Sequence, residues 1–155
     1  MSVSLGKKLN NPFCIKSPGP HKFWAGQSGE DSRGHAQFVS PEYAVRAVVR
    51  QLANYSRRGL RTVGQWLAEY APASDTVGSL AGAPANCPRE YAEFVCGKCG
   101  IGPNDVLSVY SSRGAIRDRA LLAKILKAMA RYESLWTLDD GVIQSGMELY
   151  ERAFV

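Results

Sequence analysis

The sequence has no apolar run approaching the ~18–20 residues that a bilayer-crossing helix requires, so no membrane insertion is expected. Its start, Met1-Ser2-Val3-Ser4-Leu5-Gly6-Lys7-Lys8, lacks the apolar core of a secretory signal. The expectation is a reducing compartment with free thiols. Histidine is scarce, with His21 and His35 alone, and no second Cys-x-x-Cys accompanies Cys96-Gly97-Lys98-Cys99. No internal repeat is visible, which excludes a solenoid. Blocks of like charge are also missing. Nineteen Lys and Arg against fourteen Asp and Glu give +5, but the basic residues are scattered, and Lys7-Lys8 and Arg57-Arg58 are the adjacent pairs. Such scatter argues against nucleic acid as a partner. It leaves an ordinary solvated surface, or attraction to an anionic one such as the carboxylate-rich bacterial wall.

What is present suffices for a globular core. A chain of 155 residues, 45% hydrophobic and 21% charged, fits one mainly α domain spanning 1–155. Residues 1–39 read as a loop-rich lobe packed on a helical body, 40–155. In the lobe, Pro12, Pro18-Gly19-Pro20, Gly26, Gly29 and Gly34 break any helical period. Phe13, Ile15, Phe23, Trp24 and Phe38 supply apolar anchors that a flexible tail would not carry. Ser40-Pro41-Glu42 announces a helix that buries Val45, Val48, Val49, Leu52 and Tyr55 until Arg57-Arg58-Gly59 closes it. A shorter helix starts near Thr62 and stops at Pro72. Residues 72–86 form a long loop, either the rim of a cleft or surface slack. Cys87-Pro88 opens a helix ending near Cys99-Gly100. The longest helix is expected over 112–136, and a last one over 139–154 that buries Val142, Ile143, Leu149 and Phe154.

The cysteines leave several readings open. Cys96 and Cys99 have zinc-knuckle or redox spacing, and Cys87 with Cys14 or His35 could complete a zinc set. Buried structural thiols are the alternative, and the favoured reading needs neither metal nor cofactor. Cys14 with His35 or His21 could also form a thiol amidase. However, Ile15-Lys16-Ser17-Pro18-Gly19-Pro20 after it cannot begin the helix that usually activates such a thiol.

Glu133 is out of place. On the long helix Ile116, Leu122, Ile125, Leu126, Met129 and Trp136 form an apolar stripe. Seven steps from Leu126 return Glu133 to within about 20° of it. Three explanations compete. The carboxylate reaches solvent at a frayed helix end, or it pairs with Arg46 or Arg50, or it is a general acid kept protonated by apolar neighbours.

The segment Ala128-Met129-Ala130-Arg131-Tyr132-Glu133-Ser134-Leu135-Trp136 resembles the catalytic-helix motif of the lysozyme superfamily, in lytic transglycosylases and bacterial glucosaminidases. Asn11-Pro12-Phe13-Cys14-Ile15-Lys16, followed by Trp24-Ala25-Gly26, resembles the glucosaminidase pattern Asn-x-Phe-Gly-Ile-Lys with a later Trp-x-Gly. The stretch 10–55 is also similar to small phage and prophage proteins, described as virion structural or lysis-associated. Here the Glu-Ser helix follows the Asn-x-Phe segment instead of preceding it. Cys14 and Leu135 stand where those families carry glycine.

The resemblance implies a circularly permuted lysozyme-like fold and cleavage of the peptidoglycan glycan strand, with Glu133 as the acid. Glu42, Asp31 and Glu30 are candidates for a second carboxylate. Lytic transglycosylases manage without one by using the substrate's own acetamido group. Phe23, Trp24 and Tyr55 offer faces for sugar stacking, or else belong to the core. Asn11 either binds a sugar amide or fixes the turn before Pro12. Peptidoglycan is then the partner, with other virion proteins as further ones. The alternative is a non-catalytic virion or wall-binding protein of the same shape.

Overall fold

The computed structural model describes residues 4–154, and Phe154 by its backbone alone. The chain is mainly helical: α1 (Leu5–Lys8), β1 (Gln27–Glu30), β2 (Ala36–Phe38), α2 (Pro41–Arg57), α3 (Val63–Tyr70), α4 (Pro88–Cys99), α5 (Arg119–Ser134) and α6 (Asp140–Phe154). No helix among the described residues is long and apolar enough to cross a membrane. The chain divides into two compact units, Met1–Gln51 with Met129–Val155, and Leu52–Ala128. The boundaries fall inside α2 and α5.

The first unit is built on a short antiparallel hairpin. β1 and β2 pair Gln27 with Phe38 and Glu30 with Ala36, and an irregularity between Gln27 and Gly29 shifts the register. Ala36 and Phe38 point inward while Gln37 is exposed, the alternation expected of a half-buried strand. Phe13, Ile15, Val45, Val48 and Val49 complete the apolar centre on that side. On α6 the buried hydrophobic side chains are Ile143, Met147 and Tyr150, at the i, i+4, i+7 spacing of a helix face. Val142 and Leu149, both expected in the core, are half-buried. Phe154, also expected there, has a side chain outside the described residues.

In the second unit α3 packs against α4. Thr62 caps α3 by accepting from the Gln65 N–H at 3.1 Å, and Gly100 ends α4 in the left-handed conformation, φ 70°. Trp66 is buried, donates from Nε1 to Leu60 O at 2.6 Å, and meets the Tyr110 ring edge-on. The long loop is not slack. Asp75 accepts from Thr76 N and Ser79 Oγ, and its backbone oxygen takes the Asn86 N–H.

α5 starts seven residues later than the pattern suggested. Residues 111–118 form a tight loop in which Ser111 Oγ accepts from Ala115 N and Ile116 bridges Tyr110. Asp118 then caps the helix through Leu121 N at 3.0 Å. Ile116 thus lies outside α5. Leu122, Ile125, Leu126 and Met129 form the expected buried stripe, and Trp136, beyond the helix end, is half-buried.

Candidate functional site

The site lies within the first unit, where the turn 11–15, the hairpin and the end of α5 each contribute a side chain. Asn11 builds the turn. It is fully buried, its Nδ2 donates to Ile15 O and Ala36 O at 2.9 and 2.8 Å, and its Oδ1 accepts from Ile15 N. With its amide saturated by backbone it has nothing to offer a sugar. Of the two roles the sequence allowed, the turn is the one seen.

Cys14 follows in the left-handed region, φ 50°, a conformation that favours glycine over a residue with a side chain. Its Sγ lies 3.7 Å from Ser134 Oγ, in the last residue of α5. Ser134 is itself buried, and Gly6 of α1 packs so closely on it that a Cβ at position 6 would overlap its hydroxyl. Burial raises the Cys14 thiol to about 12, and the Glu133 and Asp31 charges add to that against a smaller opposing effect of Ser134 and Arg33. Burial does not activate this thiol, and His35 Nδ1 is engaged by Asp31, both of which count against the thiol-amidase reading.

Asp31 sits just after β1 and is enclosed by donors. Oδ1 accepts from the backbone N–H of Arg33 and of His35, both at 2.9 Å, and Oδ2 lies 2.9 Å from His35 Nδ1 and 3.6 Å from Arg33 Nη2. Burial acts to raise its pKa, but the hydrogen bonds from His35 and Arg33 outweigh it and hold the carboxyl below its ordinary value. Asp31 is therefore an ionised carboxylate whose lone pairs are occupied, a poor nucleophile or base. His35 is buried and oriented by it.

Glu133 occupies the last turn of α5 and is half-buried, between exposed Tyr132 and buried Ser134. Neither Arg46 nor Arg50 forms an ion pair or hydrogen bond among the described residues, so the structural pair with Glu133 does not form. Beyond Ser134, Leu135 ends the helix at φ 52°. Its N–H reaches Arg131 O, and its own carbonyl accepts from Arg131 Nη1 at 3.0 Å.

The remaining candidates separate. Glu42 lies half-buried in the first turn of α2, where its charge favours the helix N-terminus. Glu30 is exposed and accepts from Ser17 Oγ at 2.6 Å. Tyr55 is buried in the second unit, 5% exposed, which makes it core and not a sugar platform. Phe23 and Trp24 stay together and line an open groove of about 470 Å³ with Lys22, Arg46 and Arg50. Glu133 does not line it.

Two features were not read from the sequence. The Asp31–His35 pair escaped because the two residues meet across a Gly34 turn in a segment without helical period. The arginine pair of α2 carries no sequence signal of its own, because an Arg-x-x-x-Arg spacing on a helix is equally that of an ordinary solvated face. Cys96 is buried and Cys99 half-buried, and burial raises both thiols, as in structural cysteines. Among the described residues no three His, Cys, Asp or Glu side chains gather as a metal site. Compared with protein-family models and with curated proteins, the chain matches none.

Proposed function

We propose that this chain cleaves the glycan strand of peptidoglycan with Glu133 as general acid, by a single-acid route of the lytic-transglycosylase type. The observation that carries this reading is the contact between the turn 11–15 and the end of α5: Cys14 Sγ lies 3.7 Å from Ser134 Oγ, and Glu133 is the residue before that serine. Glu133 is half-buried at the end of α5, and the proposal gives it the role of proton donor. Asp31 is ionised and fully engaged, so it supplies fixed negative charge toward a developing oxocarbenium-like centre and does not attack it.

In the proposed step Glu133 gives its proton to the glycosidic oxygen, and the bond from that oxygen to the sugar's anomeric carbon breaks. The substrate's acetamido oxygen closes on that carbon. A hydroxyl of the same sugar then displaces it, returning its proton to the Glu133 carboxylate. The product has an anhydro end and no water is consumed. On this reading the protein accumulates in the host bacterial cytoplasm before lysis or travels in a virion.

The test is mass spectrometry of fragments released from purified sacculi by the wild type and by Glu133→Gln. Anhydro ends from the wild type, reduced at least a hundredfold in a variant with unchanged thermal midpoint, support the proposal. Reducing ends transfer it to a hydrolase. The groove's lining, which excludes Glu133, favours a second reading, a wall-binding or virion structural protein without turnover. That reading predicts no fragments from either protein and equal retention of both on sacculi.

A further inference from the structure

The groove beside the hairpin is built. Trp24 is fixed by its Nε1, which donates to Lys16 O at 2.7 Å, and by its backbone N–H, which donates to Gln27 Oε1 at 2.9 Å. Gln27 in turn donates to Ser17 Oγ at 2.7 Å. Two residues after Trp24, Gly26 lies against the Tyr43 ring of α2 at φ 76°, where any Cβ would overlap that ring. These bonds hold the aromatic loop beside α2 before any ligand arrives. Phe23 is 52% exposed, a large apolar face left in water next to the indole.

Along the other side run Arg46 and Arg50, one helical turn apart on α2, so their side chains project from neighbouring positions about 5–6 Å apart. Neither has an acidic partner among the described residues, nor has Lys22 at the groove's end. Partial burial and the charge of Arg50 lower the pKa of Arg46, against a smaller opposing effect of Tyr43. Arg58 and Arg89, by contrast, pair with Glu69 and Glu93.

We propose that this groove is the site for the carboxylate-bearing peptide stem of a muropeptide, with Arg46 and Arg50 holding the carboxylates and Phe23 and Trp24 covering the adjoining apolar or sugar face. The inference rests on the peptidoglycan reading and adds a recognition site for it. Guanidinium groups match carboxylates through paired N–H donors, and an open groove of about 470 Å³ has the size to seat a small ligand segment. Three cations beside two aromatic rings also do not make the continuous basic track that a nucleic acid follows.

The experiment is calorimetric titration of Glu133→Gln, which prevents turnover, with three probes: a disaccharide-tetrapeptide, the same compound with its carboxyls amidated, and a chitooligosaccharide. The expected result is a dissociation constant at least tenfold tighter for the free-acid muropeptide than for the amidated one. Adding Arg50→Gln or Arg46→Gln should abolish that difference and leave chitooligosaccharide binding unchanged. Arg50 is exposed, so its variant keeps the fold, and thermal midpoints verify this for both. Equal binding of acid and amide, or an arginine variant that binds the acid as before, overturns the inference. Tighter, steeply salt-dependent binding of single-stranded DNA through the same arginines overturns it as well. Sacculus cleavage is read separately with wild-type protein. Carboxylate-dependent binding without cleavage sinks the glycosidase and keeps the groove, while cleavage with carboxylate-blind binding does the reverse.

Discussion

Two regions of the first unit treat charge in opposite ways. Around the hairpin turn, Asp31 is met by two backbone N–H groups, an imidazole and a guanidinium. Along α2, a few residues later in sequence, Arg46 and Arg50 stand on one groove with no counter-ion among the described residues. The first arrangement is architecture: each donor has its acceptor, and the result is a fixed loop with a fixed imidazole. The second has no acidic partner among the described residues, and it is where the proposal places the ligand's carboxylates.

The contrast can be tested from its largest expected effect downward. Cys14 lies on the finished side and its thiol is raised to about 12, while Cys87 is exposed. At pH 8 the lower thiolate fraction slows its alkylation about 10³-fold relative to an ordinary thiol. Peptide mapping after iodoacetamide treatment should find Cys87 modified and Cys14 intact. Equal labelling would mean that the turn opens readily and the enclosure is not real.

Asp31→Ala comes next. It strands a buried imidazole and two backbone donors, and should cost about 2–4 kcal/mol in denaturant unfolding. The pH dependence has a definite sign. A carboxyl held below its unfolded value stabilises the fold above that value, about 3.9, and the contribution fades as pH falls through the lower folded value. Wild type and variant should therefore converge in stability below about pH 4. A difference that stays constant into acid would show that the lost stability is packing and not charge.

Leu135→Gly should stabilise the protein by about 0.5–1 kcal/mol. The position is left-handed and 71% exposed, so glycine relieves backbone strain with little packing lost. The smallest effect sharpens the comparison most. Arg50→Gln removes a like-charge neighbour from Arg46 and should raise stability by a few tenths of a kcal/mol, more at low salt. A loss instead would place Arg50 among the satisfied charges.

The helices were legible where a cap and a period agreed. Ser40-Pro41 opens α2, Thr62 caps α3, Cys87-Pro88 precedes α4, and Gly100 ends it. The start of α5 was misread because Ile116 extends the apolar period into a loop that is held by Ser111 and stopped by Asp118, a side-chain effect that no periodicity reports. Its end was misread by two residues for the converse reason. Trp136 continues the stripe, but Leu135 has already left the helical region. Both strands were too short, and too dependent on the Asn11 and Asp31 hydrogen bonds, to show an alternation of their own. At the site, helical spacing puts Glu133 beside the apolar stripe of α5, where it is half-buried. The saturation of Asn11 and Asp31 could not be foreseen, because it depends on which backbone groups the fold brings within 3 Å.

Gly26 joins these regions in a way that constrains how the sequence can vary. Its carbonyl accepts the Val39 N–H beside β2, its bare Cα rests on Tyr43, and Trp24 follows wherever it goes. In a library of single substitutions, even alanine here should lift the indole and slacken the hairpin together. Ala25, exposed next door, should accept nearly any side chain.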